Sequence, residues 1–318
     1  MRTFFIYFSG TRILILCALL CAQYVHAQGY RSSTSLPVPV LFAPGVISAD
    51  DYETHAAFSP GGDTLYFLKC ATDLSRSAIY VSMFSNNKWS GPSIVSFSGK
   101  YIDIDPFVTA DGNTIFFSSN RPVHEGDTAR ADMDIWKTDR MGTGWGKPVH
   151  LGEAINSPAD EYYPTLTDAG VLYFGSARSG GAGNSDIYRS VPANGNFITA
   201  ENIGTVINTA DNEYEPFIAP DESYLIFMAT IPTGLKNAGL FISYHKGKTW
   251  SVPEMINNGV NSPAIDWGPK ITRDKKYLIF GSTRDRNING KITPTNGMSD
   301  IYQVDVSSLN IHIGGGGR

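Results

Sequence analysis

The chain has 318 residues and a net charge of −5 with histidines neutral, and it is 42% hydrophobic, 12% aromatic and only 17% charged. An acidic chain offers no basic stripe to nucleic acid or to an anionic membrane surface. Beyond the leader, no apolar run reaches the roughly 18 residues of a spanning helix. Many aromatics with few charges suit a β-rich fold with much packed strand surface.

Residues 1–27 read as a secretory signal peptide. Arg2 and Arg12 flank a polar start, Ile13 to Leu20 is a short apolar core, and Val25-His26-Ala27 marks a cleavage site. Cys17 and Cys21 lack the small residue that a lipoprotein signal places before its cysteine. Removal of the leader takes two positive charges with it and leaves Cys70 alone, so no internal disulfide is available. An exported chain without disulfides needs a full-sized core, and residues 28–318 are enough to build one. The expected location is the periplasm or the extracellular space. Residues 28–36 (QGYRSSTSL) read as a flexible polar leader. Residues 37–48 (PVPVLFAPGVIS) carry the same signals as the repeat ending Lys147–Ser157 (KPVHLGEAINS), so they read as an outer strand separated from its repeat.

Five repeats follow, aligned on the aromatic that ends the second strand: Phe67, Phe117, Phe174, Phe227 and Phe280, spaced 50, 57, 53 and 53 residues apart. The strands TLYF, TIFF, VLYF, YLIF and YLIF each follow a turn of the PGGD, ADGN, TDAG, PDES or TRDK kind, whose Gly, Pro and Asp supply turn conformations. Third strands read AIYVS, DIWKT, DIYRS, LFISY and DIYQV, and fourth strands start near Trp89, Trp145, Phe197 and Trp250. Self-similarity at this period marks a propeller or solenoid, and helical periodicity is absent. After Val304 the fifth repeat has no fourth strand, and residues 37–48 fill the vacancy. Closing the ring with strands from both termini removes exposed edges. The expectation is an all-β, five-bladed β-propeller over residues 37–306. Its blades are set at about 49–99, 100–156, 157–208, 209–261 and 262–306, with a tail at 307–318.

The runs Pro106–Phe117 (P-x-x-T-x-D-G-x-x-I-x-F), Ser176–Gly183 (S-x-R-x-G-G-x-G) and Ser185–Tyr188 (S-D-I-Y) resemble the WD40-like, TolB-type propeller repeat of bacterial envelope and exported proteins. The resemblance covers almost the whole mature chain and is clearest in repeats 2, 3 and 5. It implies the fold, and for function a docking platform, a subunit of an envelope machine or, with other decoration, an enzyme.

Three positions before the proline that precedes each second strand (Ala56 stands in for it in repeat 1), every repeat carries a carboxylate: Glu53, Asp103, Glu161, Glu213 and Asp266. Each is expected where the innermost strand begins, near the channel mouth. One reading is an anionic funnel or cation site. The other is a blade-to-blade clasp with Arg121, Arg178, Arg284 and Lys69, which repeat 4 breaks with Ala229-Thr230. Repeats 2 and 4 add Asp105 and Glu215 next to the proline, and repeat 1 has His55 there. Five-bladed furanosidase-type glycosidases place three carboxylates around such a mouth, chemistry that needs two carboxyls roughly 5 to 9.5 Å apart. For that alternative the catalytic candidates are Asp103, Asp105, Glu161, Glu213 and Glu215.

Weaker signals are set aside. Residues 243–250 (SYHKGKTW) resemble a single Asp-box turn with His245 in place of the aspartate. Asp134, Asp186 and Asp300 before third strands are expected to accept backbone N–H bonds, and Asp127, Asp132 and Asp134 lack the ordered spacing of a calcium loop. Nucleophile and zinc motifs are missing. No cofactor or metal is assigned.

Long inserts between second and third strands, Pro122–Met133 and Asp285–Ser299, belong on the face where the innermost strands begin, together with the acids and Tyr52, Tyr162, Tyr163, Tyr214 and Trp267. The ligand-binding face expected is therefore Glu53, Asp103, Glu161, Glu213, Asp266, Tyr52, Tyr162, Tyr214 and Trp267. The reading is a monomeric, non-catalytic binding or docking module for an envelope protein or a glycan.

Overall fold

Short β-branched and aromatic strands joined by tight turns fold locally as antiparallel meanders, and five such meanders surround one axis. The computed structural model describes residues 29–49, 51–71, 76–230, 238–288, 290–295 and 297–313. The signal peptide read at 1–27 lies outside them. The innermost strands are Tyr52–Phe58, Asp103–Val108, Glu161–Leu166, Glu213–Ile218 and Asp266–Ile271. Each pairs with the apolar second strand that follows it, and that strand pairs with the third. The protein is an all-β, five-bladed β-propeller.

The fifth blade is completed by Val40–Leu41, which pairs antiparallel with Asp300–Asp305 through Val40 opposite Gln303 and Leu41 opposite Tyr302. The fourth strands of blades 1, 2 and 4 come in two pieces. Lys88–Trp89, Gly144–Trp145 and Thr249–Trp250 turn back on the end of the third strand, and Ser93–Ile94, Val149–His150 and Glu254–Met255 form the outer strand proper. A proline separates the pieces each time (Pro92, Pro148, Pro253); it has no N–H for the ladder and breaks it there. Pro39 stands in the same place before Val40.

The five aligned phenylalanines are buried to within 1% and lie in the seams between blades. One segment differs from the sequence reading. The leader at 28–36 is not free over its described part. Tyr30 is 2% exposed, edge-on to Phe58 and Tyr277, with its carbonyl accepting from Gln303 Nε2 at 2.6 Å. Ser32 N–H donates to the Tyr277 hydroxyl, and Ser35 and Leu36 donate to Asp305 Oδ2, so the aromatic and these bonds together dock the stretch across the seam of blades 1 and 5. At the other end, Leu309, Ile311 and Ile313 join the apolar seam of blades 4 and 5.

Candidate functional site

The five register carboxylates are buried, none more than 2% exposed. Asp103 accepts from Arg121 Nη2 at 2.5 Å, Ser119 Oγ at 2.7 Å and Ser98 Oγ at 2.8 Å. Glu161 accepts from Ser157, from Ser176 Oγ and from Arg178 Nη2 at 3.2 Å. Asp266 accepts from Ser262 and from Arg284 Nη2 at 2.6 Å. Each arginine also donates to a backbone carbonyl of the segment arriving from the preceding blade: Phe97, Ile155 and Val260 respectively. Each stacks on the aligned phenylalanine of its own blade, at 4.8, 5.4 and 5.1 Å. The F-x-S-x-R spacing of Phe117-Ser119-Arg121, Phe174-Ser176-Arg178 and Phe280-Ser282-Arg284 is therefore one clasp repeated three times. A fully buried, multiply bonded carboxylate presents no lone pair to a ligand.

Blades 1 and 4 make weaker versions. Glu53 has Lys69 Nζ at 3.3 Å and the Ala49 N–H at 3.2 Å, and burial, only partly offset by these two, pushes its carboxyl up to about 7. Glu213 accepts from Thr209 N–H at 2.9 Å and Oγ1 at 2.6 Å, with no cation partner among the described residues, and burial raises it above the usual carboxylate range. The aromatics of the expected face form ring pairs that span neighbouring blades: Tyr52 stacks on Trp267 at 6.0 Å and Tyr162 leans on Tyr214 at 6.2 Å. Trp267 is buried and donates to Thr54 Oγ1, whereas Tyr52, Tyr162 and Tyr214 stay partly exposed. Of the third-strand aspartates, Asp186 does accept backbone N–H bonds, from Ala182 and Gly183. Asp134 instead pairs with Arg130 and His150, and Asp300 pairs with Arg286.

The axis itself is lined by the residue two positions after each register carboxylate. Every innermost strand carries a bulge there, between Thr54 and Ala57, Ile104 and Phe107, Tyr162 and Thr165, Tyr214 and Phe217, and Trp267 and Lys270. The bulged residues His55, Asp105, Tyr163, Glu215 and Gly268 all have positive φ, between 52° and 60°. For four non-glycines this costs conformational energy and re-aims the side chain. The side chains converge. His55 Nε2 donates to Glu215 Oε1 at 3.1 Å, and its Nδ1 lies 2.8 Å from Asp105 Oδ1. Asp105 Oδ2 accepts from the Tyr163 N–H at 3.0 Å, and Glu215 Oε2 from the Gly268 N–H at 2.7 Å. Burial opposes charge on the imidazole, but the two carboxylates outweigh it and push it up to about 10. An imidazolium thus joins two carboxylates across the axis. Gly268 is required here, since a Cβ would lie 2.6 Å from His55 Cδ2.

Below this ring the same strands present Ala57, Phe107, Thr165, Phe217 and Lys270. Thr165 donates to the Pro216 carbonyl at 2.7 Å. Lys270 is 7% exposed, with its Nζ 4.0 Å from the Tyr163 ring centroid, 5.3 Å from that of Phe107 and 5.9 Å from that of Phe217. Burial, against the pull of Asp105 and Glu215, lowers this amine to about 7. Lys270, Phe107 and Phe217 line a cavity of about 410 Å³ bounded by the turns between first and second strands. It opens away from the long loops.

Sequence reasoning noticed His55, Asp105 and Glu215 but not that all five bulge positions meet, because the bulge is a backbone event. It missed Lys270 and the cavity. A signal existed, since a lysine occupies a position that is otherwise Ala, Phe, Thr and Phe.

No family model matches the chain, and no curated protein does. Among solved structures, TolB from Acinetobacter baumannii superposes with a TM-score of 0.50 at 15% identity, covering 80% of this chain and 54% of its own. The chain therefore spans about half the length of that protein. Bacteroides ovatus xyloglucan PUL GH43B gives 0.50 at 12% identity, covering 84% of this chain and 54% of its own. A glycoside hydrolase gives 0.55 at 9% identity, covering 89% and 94%. At these identities the likeness is one of fold, shared with TolB-type and glycoside-hydrolase propellers alike.

Proposed function

We propose that the protein is an exported, non-catalytic binding module that docks an envelope protein or a glycan on the face carrying its long loops. The observation that carries this reading is the state of the acids. Asp103, Glu161 and Asp266 are each engaged by an arginine and hydroxyls, Glu53 by Lys69, Glu213 by Thr209, and Asp105 and Glu215 by one imidazolium. A glycosidase needs one carboxyl free to donate a proton and a second free to attack or to activate water. The partly exposed Tyr52, Tyr162 and Tyr214 offer ring surface on the innermost strands where these begin, an arrangement suited to sugar rings or an extended peptide.

The alternative, glycoside cleavage by Asp105 and Glu215, draws on the glycoside-hydrolase likeness in fold. It requires His55 to release both carboxylates when substrate arrives. The binding reading is tested by a polysaccharide-binding screen and an envelope-fraction pull-down with the mature protein, run beside Tyr162→Ala and Tyr214→Ala. Loss of the captured ligand in these variants, with the fold retained, supports the loop-rich face. Capture undiminished in both would place binding elsewhere.

A further inference from the structure

Among the described residues, Lys270 stands apart from the other buried charged side chains. It is more than nine-tenths buried, yet its amine makes no hydrogen bond and no ion pair among the described residues. Buried polar groups are nearly always bonded, and an unmet one calls for an explanation. Aromatic faces supply part of the answer through their quadrupoles, but they give the N–H donors of the amine no acceptor from the described residues. The cavity is where an acceptor would have to come from. Lys270 lines it, Phe107 and Phe217 wall it beside the amine, and Ile271 and Leu166 extend the apolar lining. A volume of about 410 Å³ is in the range of small-molecule sites, which typically hold a few polar groups in an apolar wall. The site is also separate from the loop-rich face, since it sits beyond the His55–Asp105–Glu215 ring and opens at the opposite end.

We propose that this cavity binds a small carboxylic acid with an apolar body, its carboxylate meeting the Lys270 amine and its body lying against Phe107 and Phe217. A carboxylate fits better than a neutral acceptor because its charge matches an amine whose nearest acids, Asp105 and Glu215, are already held by His55. Binding should draw a proton onto the amine, because the added negative charge favours the ammonium form.

The test is calorimetry of the mature protein with 3-phenylpropionate, indole-3-acetate and octanoate, together with 3-phenylpropanamide as the uncharged counterpart. Lys270→Met is the site variant. Lys276→Met, an exposed lysine outside the cavity lining, is the control. The expected result is saturable one-to-one binding of at least one acid, weakened at least tenfold by Lys270→Met and unchanged in Lys276→Met. The amide should bind at least tenfold more weakly than phenylpropionate if that is the acid bound. Titrations at pH 8 in two buffers of different ionisation heat should report proton uptake, which Lys270→Met abolishes. No binding by any of the three acids, amide binding equal to that of its acid, or full binding by a folded Lys270→Met protein would each overturn the proposal.

Discussion

Replacing His55 by alanine probes the axis directly. The imidazolium contacts Asp105 Oδ1 at 2.8 Å and Glu215 Oε1 at 3.1 Å. Removing it leaves two carboxylates facing each other over the bulge with one backbone N–H each, from Tyr163 and Gly268. Stripping one partner from a buried ionic cluster typically costs about 3–5 kcal/mol, and His55→Ala should lose that much at pH 7. The loss has a pH signature. The folded-state value of His55, about 10, lies above the roughly 6.5 of an unfolded histidine. Its stabilisation is therefore fully present below pH 6.5 and disappears as pH rises through 10. Each pH unit between is worth about 1.4 kcal/mol, so the gap between wild type and His55→Ala should close steadily over that window. Urea unfolding followed by tryptophan fluorescence from pH 6 to pH 10 measures it. The double variant His55→Ala/Glu215→Gln should regain about 1–2 kcal/mol over His55→Ala, since one of the orphaned charges is gone. A His55→Ala cost below about 1 kcal/mol, or one that does not change with pH, would refute the network.

Lys270→Met should raise stability at neutral pH. The folded amine is lowered from 10.5 to about 7, so the burial penalty is full below pH 7 and vanishes as pH climbs past 10.5. The gain should be about 2–4 kcal/mol at pH 7 and fade by pH 10.5, as read by the same unfolding curves. Glu53→Gln tests the clasp of blade 1, where a lysine replaces the arginine. With Glu53 raised to about 7 against an ordinary 4.5, wild type loses up to about 3 kcal/mol as pH rises from 4.5 to 7, and the variant should lack that slope. Arg121→Ala strips the guanidinium from a fully buried Asp103 and should cost about 3–5 kcal/mol, a fall in Tm that calorimetry resolves. Gly268→Ala combines a φ of +60° with a 2.6 Å approach to His55 and should destabilise by more than 1 kcal/mol; a neutral result would mean that the ring is looser than drawn.

The fold was legible because propeller blades write themselves in strand signals. A phenylalanine every 50 to 57 residues marks the second strands, and the missing fourth strand of blade 5 points to residues 37–48. The clasp was legible in part, since a carboxylate in every blade and an arginine in three already suggest a structural bond. Three things were not. The bulge that turns His55, Asp105 and Glu215 inward depends on backbone φ, which residue identity does not announce outside glycine. The docking of Tyr30 depends on a long-range contact with Tyr277. The cavity that Lys270 lines depends on how far apart five strands stand, a property of ring closure and not of any one repeat.

The most direct measurement of the central claim is a sugar-release assay. Mature protein would be incubated with a panel of plant and bacterial polysaccharides and with aryl furanosides, and both bound glycan and new reducing ends would be read, with Glu215→Gln and Asp105→Asn alongside. No release above background is expected on any substrate, whether or not a glycan binds. Release that disappears in either variant would show that His55 yields its carboxylates to a substrate, and that the axis is an active site after all.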